Sequence, residues 1–89
     1  MTEYYGIPAA TLETLRAWIE HGRPMGSFCQ AVISNDLTLA AMRADEYNRR
    51  ALADIVQWLV CNAPPCCWGA PEALERWPKV IAAKSRGGT

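Results

Sequence analysis

Apolar residues recur along this chain at helical spacing, and no segment shows the strict alternation of a β-strand. The first helix is predicted over residues 8–21, with Gly22 as its stop signal. Four apolar residues share one face of that helix: Leu12, Leu15, Trp18 and Ile19. The pattern therefore predicts an all-α protein.

Polar residues mark where the next helices begin. Ser27 and Asp36 are each suited to cap the helix that follows, because their side-chain oxygens can accept hydrogen bonds from free backbone N–H groups. Asp45 and Glu46 fall in the first turn of the longest predicted helix, where negative charge is favourable. That helix carries an apolar stripe and ends before two prolines: Leu52, Ile55, Val56 and Leu59, then Pro64 and Pro65.

The last helix is predicted to begin at Pro71, and Pro78 is expected to kink or break it because proline lacks a backbone N–H. Eighty-nine residues allow one small core. We therefore expect a compact bundle of four to five short helices in a single domain over residues 1–84. Residues 85–89, which end in Gly-Gly-Thr, are expected to form a flexible tail.

Composition and charge narrow the classes of partner. Hydrophobic residues make up 51% of the chain, and nine Lys and Arg balance nine Asp and Glu. This balance gives no overall field for nucleic acid or an anionic membrane, so no DNA reading is expected. No apolar run approaches the roughly 20 residues of a membrane span. The N-terminal residues lack a secretion signal, so a cytoplasmic location with reduced thiols is expected.

Few residues are suited to catalysis or metal binding. The chain has no glycine-rich phosphate loop, metalloprotease helix motif or nucleophile elbow, which argues against an enzyme. No paired C-x₂-C spacing predicts a metal site, so cysteines are interpreted as small core residues and no cofactor is predicted. The alternative is a cysteine-dependent metal or redox module built from Cys61, Cys66, Cys67 and His21.

Three arginines are the best candidates for binding an anion. Arg43, Arg49 and Arg50 cluster around the start of the longest predicted helix. Guanidinium groups beside helix N-terminal N–H groups can hold a phosphate or carboxylate. Because Asp45 and Glu46 lie next to them, local ion pairing on a solvated surface is the competing interpretation.

Four tryptophans are many for a chain of this size. Trp18 and Trp77 lie on apolar stripes and are predicted to be core residues. Trp58 falls beside its stripe and Trp68 falls in a loop, so both are predicted to border an exposed patch. Exposed tryptophans anchor interfaces, so we expect contact with a partner or with further copies of this chain.

Over residues 11–77 the sequence resembles a group of small helical proteins encoded by tailed phages and prophages. The matching segments are Trp18-Ile19-Glu20-His21-Gly22, Gly26-Ser27-Phe28, Ala31-Val32, Asn35-Asp36-Leu37, Arg43-Ala44-Asp45, Asn48, Asn62-Ala63-Pro64 and Cys67-Trp68-Gly69-Ala70-Pro71-Glu72. Cys66 and Pro78 depart from the pattern.

This resemblance implies a protein that acts in a bacterial cytoplasm during infection. It would act by binding, either blocking a host protein complex or sequestering a small nucleotide-like signal inside a homo-oligomer. A monomeric protein–protein interaction domain is the remaining alternative.

Overall fold

A computed structural model describes residues 6–87, with side chains through residue 84, and this part of the chain is helical without a β-strand. The all-α prediction is confirmed, although these residues form six α-helices where four to five were expected. The helices are α1 (Ala9–His21), α2 (Ser27–Ile33), α3 (Leu37–Arg43), α4 (Glu46–Arg50), α5 (Leu52–Asn62) and α6 (Ala73–Gly87), with a 3₁₀ turn at Pro65–Cys67.

Three of the predicted helix boundaries are confirmed in detail. Gly22 ends α1 in the left-handed conformation, with φ of 66°, and its N–H donates to the Trp18 carbonyl. Asp36 caps α3 by accepting a hydrogen bond from the Leu39 N–H at 3.1 Å. Asp45 caps α4 in the same way. The predicted cap at Ser27 is wrong, because Gly26 occupies the N-cap position and Ser27 is the first residue of α2.

The longest predicted helix is divided in two. Ala51, with φ of −93° and ψ of 2°, separates the five-residue α4 from α5. A hydrogen bond from the Thr11 hydroxyl of α1 to Asn48 Oδ1 of α4, at 2.6 Å, holds α4 against α1. The spacing of apolar residues predicts one continuous helix here, because it carries no information about tertiary contacts of this kind.

Of the two effects predicted at Pro78, a kink or a break, the break does not occur: α6 begins at Ala73 and continues through Pro78 to Gly87. Pro78 removes one backbone donor, but its backbone packs closely against Gly22, where a Cβ would meet Pro78 Cα at 3.2 Å. Residues 85–87 continue α6, and residues 88 and 89 lie outside the described part, so the flexibility of the tail at 85–89 stays a prediction.

The indole groups of two buried tryptophans join separate elements by donating hydrogen bonds to backbone carbonyls. Trp18 Nε1 donates to the Cys67 carbonyl at 2.9 Å and joins α1 to the 3₁₀ turn. Trp77 Nε1 donates to the carbonyls of Trp18 and Ile19, at 2.9 and 3.1 Å, and joins α6 to the last turn of α1. These carbonyls lie where a helix runs out of its own N–H groups, so Trp77 caps α1 from another helix. Leu15, Ile33, Ile55 and Leu59 fill the core around them.

Candidate protein-binding surface

An apolar groove lies between α3, α5 and the loop that carries Trp68. Its sides are formed by Leu37, Leu52, Val56 and Trp68, and its floor by Ala31, Val32 and Ala40. We call it the α3–α5 groove. Leu37 is 68% exposed and Val56 37% exposed, whereas Leu52 and Trp68 are half-buried. The groove is thus a continuous apolar surface, unlike the singly exposed apolar residues that any soluble protein carries.

The sharp ending of α2 creates this groove. Asn35 adopts a left-handed conformation, with φ of 62°, and the Asp36 N–H donates to the Ala31 carbonyl at 2.9 Å. The chain therefore reverses immediately, and Leu37 becomes the exposed first residue of α3. The Gly69 N–H donates to the Ile33 carbonyl at 2.7 Å, which fixes the Trp68 loop beside the same helix end.

The volume of the groove limits which ligands it can accept. Its volume is about 50 Å³, whereas pockets for drug-sized ligands measure roughly 300–1,000 Å³. The groove can accept an apolar side chain from a protein surface and is too small to enclose a nucleotide.

A broader depression of about 550 Å³ adjoins the groove. The two share Asn35, Asp36 and Leu37. Its only charged lining residue is Asp36, which is negative and therefore disfavours an anion. Asp36 is exposed and uses Oδ1 to cap Leu39. A carboxylate has acceptor capacity beyond one such bond, so a basic side chain can also be bound here.

The three arginines predicted to bind an anion lie beside the junctions that join α3 to α4 and α4 to α5. Arg43 lies in the last turn of α3, and Arg49 and Arg50 lie in the last turn of α4. Arg43 also lies two residues before Asp45, the N-cap of α4, and Arg50 directly precedes Ala51, the N-cap of α5. Arg50 Nη2 pairs with Glu46 Oε2 at 2.7 Å, and Arg49 Nη2 donates to the Ala44 carbonyl at 3.3 Å. For Arg50, the structure shows the local ion pairing that was the competing interpretation.

The two predicted interface tryptophans have different environments. Trp68 lines the α3–α5 groove, beside the apolar patch where it was expected. Trp58 does not border an exposed patch: it is only 5% exposed and belongs to the core. The core face of α5 is centred on Ile55, Trp58 and Leu59, and it is turned away from Val56. The guanidinium of Arg16 also lies 6.0 Å from the Trp58 ring centroid.

The cysteines divide into two buried and two exposed thiols. Burial raises the pKa of the Cys29 thiol to about 11. For Cys67, burial first and the nearby Cys66 second raise the pKa to about 11, so both buried thiols stay protonated at neutral pH. Cys61 and Cys66 are exposed. Among the described residues, which include His21 and all four cysteines, no three His, Cys, Asp or Glu side chains form a group suited to a metal ion.

The sequence predicts that Trp68 borders an apolar patch, but Leu37, which lines the same groove, was not predicted to do so. The available signal was the Asn35-Asp36 break, which places an apolar residue directly after a capping aspartate. The groove itself depends on the tertiary contact between Gly69 and Ile33, which no local pattern encodes.

Comparison with known proteins adds no family assignment: no family model, curated protein or solved structure matches this chain. Within residues 6–87, no helix combines the length and apolar character needed to cross a bilayer.

Proposed function

We propose that this protein is a non-enzymatic binding protein of a tailed phage or prophage, acting in the bacterial cytoplasm by blocking a host protein complex. The observation that carries the proposal is the α3–α5 groove, with Leu37 exposed on one side and Trp68 on the other. The phage origin is supported by the resemblance of residues 11–77 to small phage proteins.

The expected partner presents an apolar side chain next to a basic one. The apolar side chain enters the groove between Leu37, Val56 and Trp68, where burial of apolar surface contributes most of the affinity. The basic side chain meets Asp36 on the shared rim and fixes the orientation.

Blockade of a protein is better supported than sequestration of a nucleotide-like signal. Arg49 and Arg50 are held by local contacts, and none of the five cavities described on this chain is lined by Arg43, Arg49 or Arg50. Phosphate recognition depends on charged donors. Arg76 and Lys79 do line a cavity of about 500 Å³, but Glu72 and Glu75 line the same cavity and offset their charge.

The test uses tagged wild-type protein and three variants, each incubated with a host bacterial extract. Leu37→Glu places a charge in the groove and is compatible with the start of a helix, where acidic residues are favourable. Met42→Glu is the matched control, because Met42 is similarly exposed on α3 and does not line the groove. Asp36→Asn removes the charge of the rim and can keep the cap.

A host protein retained by wild type and Met42→Glu, but lost with Leu37→Glu, is the expected result. Asp36→Asn should weaken retention at low salt and have less effect at high salt, because salt screens exposed charges. The purified partner should then bind wild type directly and with the same ranking of variants. Equal retention by all variants, or a bound small molecule that depends on Arg49 and Arg50, would overturn the proposal.

A further inference from the structure

The loop that carries Trp68 forms one side of the α3–α5 groove without an α-helix of its own. It connects α5 to α6 and contains the 3₁₀ turn at Pro65–Cys67. Trp68 follows that turn with extended backbone, φ of −158° and ψ of 174°. Its indole N–H donates no hydrogen bond to any residue that the structure describes, unlike those of Trp18 and Trp77. The position of the ring therefore depends on its packing and on the backbone that carries it.

The backbone on both sides of Trp68 is held by residues distant in sequence. On one side, the Gly69 N–H donates to the Ile33 carbonyl at 2.7 Å. On the other side, the Cys67 carbonyl accepts a hydrogen bond from Trp18 Nε1 at 2.9 Å. Two neighbours that are both fixed leave the residue between them few conformations.

Arg76, near the start of α6, adds a charged contact to the same loop. Its Nε and Nη2 donate to the Cys66 carbonyl at 3.1 and 3.0 Å. A carbonyl oxygen has two lone pairs, so both bonds can form at once. Guanidinium donors form stronger hydrogen bonds than neutral groups, and their planar arrangement fixes the direction. Arg76 is exposed and does not line the groove, so it acts on Trp68 through the backbone of the loop.

We propose that Arg76 is a positioning residue for the α3–α5 groove: by holding the Cys66 carbonyl, it fixes Trp68 as a preformed side of the groove. The consequence for binding rests on the proposed function. A surface that already has its bound conformation loses less conformational entropy when it binds. Loss of the Arg76 contact should therefore weaken partner binding about two- to tenfold, the range expected from one hydrogen bond of ordinary net strength.

¹⁹F NMR of protein labelled with 5-fluorotryptophan tests the positioning without a partner. The chain has four tryptophans, so four signals are expected, and Trp68→Phe identifies the signal of Trp68. In Arg76→Gln, that signal should move towards its position in urea and respond more strongly to exchange of H₂O for D₂O, because the ring gains contact with solvent. A loss of global stability alone would lower Tm without moving the Trp68 signal of the folded protein.

Lys79→Gln is the matched control. Lys79 is also exposed on α6, and it forms no hydrogen bond or ion pair with the described residues. The substitution removes the same charge from the same helix and should leave the Trp68 signal at its wild-type position. An unchanged Trp68 signal in Arg76→Gln, or an equal change in Lys79→Gln, would overturn the proposal.

Retention of a host protein by the same variants, tagged and incubated with host extract, tests the consequence for binding. Wild type and Lys79→Gln should retain the partner equally, whereas Arg76→Gln should retain less and Leu37→Glu none. Equal retention by Arg76→Gln and wild type would overturn the link between the position of Trp68 and binding. A wild type that retains no host protein would contradict the proposed function, while the Trp68 signal would still decide the role of Arg76.

Discussion

Replacing Trp77 with phenylalanine tests the account of how the bundle is held together. Trp77 is 4% exposed, and its Nε1 donates to the Trp18 and Ile19 carbonyls in the last turn of α1. Phenylalanine keeps an aromatic ring but has no donor. The Trp18 carbonyl retains its bond from the Gly22 N–H, whereas the Ile19 carbonyl loses its partner on α6.

The expected cost has two parts. A carbonyl left without a partner costs about 1–3 kcal/mol when buried, and because the bond to Ile19 is only partly buried the lower end of this range applies. The smaller ring leaves a void that adds about 1 kcal/mol, a fraction of the 3–5 kcal/mol of a full truncation to alanine. Together these give about 2 kcal/mol, against the roughly 5–15 kcal/mol of stability of a small domain. For a chain of this size, each kcal/mol shifts Tm by about 4–8 °C, so Tm should fall by at least about 8 °C.

Thermal and urea unfolding followed by circular dichroism measure this loss. Trp68→Phe is the matched control, because Trp68 is half-buried in the α3–α5 groove and takes no part in those two hydrogen bonds. Its cost should stay near or below about 1 kcal/mol. If Trp77→Phe and Trp68→Phe lower Tm equally, the cross-helix cap contributes nothing measurable and the reasoning is refuted.

Three further predictions follow from the thiols and the α3 cap. A thiol reagent at neutral pH should modify Cys61 and Cys66 in the native protein and reach Cys29 and Cys67 only on unfolding; four equally fast thiols would contradict the structure. Folding raises the pKa of both buried thiols from about 9 to about 11, so their contribution to the free energy of unfolding is complete below pH 9 and is lost as pH rises towards 11. Urea midpoints should therefore fall over that range, and less so in a Cys29→Ala variant; identical slopes would count against the burial of Cys29. Asp36→Ala should cost about 1 kcal/mol through loss of the α3 cap, whereas Asp36→Asn should cost less in the same unfolding assay.

Much of the fold could be predicted because its signals are local. Asp36 and Gly22 act at helix ends by bonds within a few residues, so their types and positions are sufficient. The division at Ala51 and the continuity of α6 through Pro78 could not be predicted in the same way. Both occur beside contacts that are distant in sequence: the hydrogen bond between Thr11 and Asn48, and the close packing of Pro78 against Gly22.

The candidate site shows the same distinction. Trp68 was predicted to border an exposed patch from its residue type and its position in a loop, and it lines the α3–α5 groove. Trp58 was predicted to border a patch because Val56 was assigned to the buried stripe, whereas α5 buries Trp58 and leaves Val56 37% exposed. The break at Ala51 could not be predicted from the pattern, and it places Arg49 and Arg50 in the last turn of α4, directly before the start of α5.

Native mass spectrometry after incubation with a fractionated host extract distinguishes a protein partner from a small anionic ligand. Wild type, Leu37→Glu and Arg49→Ala/Arg50→Ala are each mixed separately with the protein fraction and the small-molecule fraction. We expect wild type and the double-arginine variant to form a complex with a host protein, and Leu37→Glu to form none. A small-molecule complex that is lost in Arg49→Ala/Arg50→Ala, with no protein complex in any sample, would contradict it.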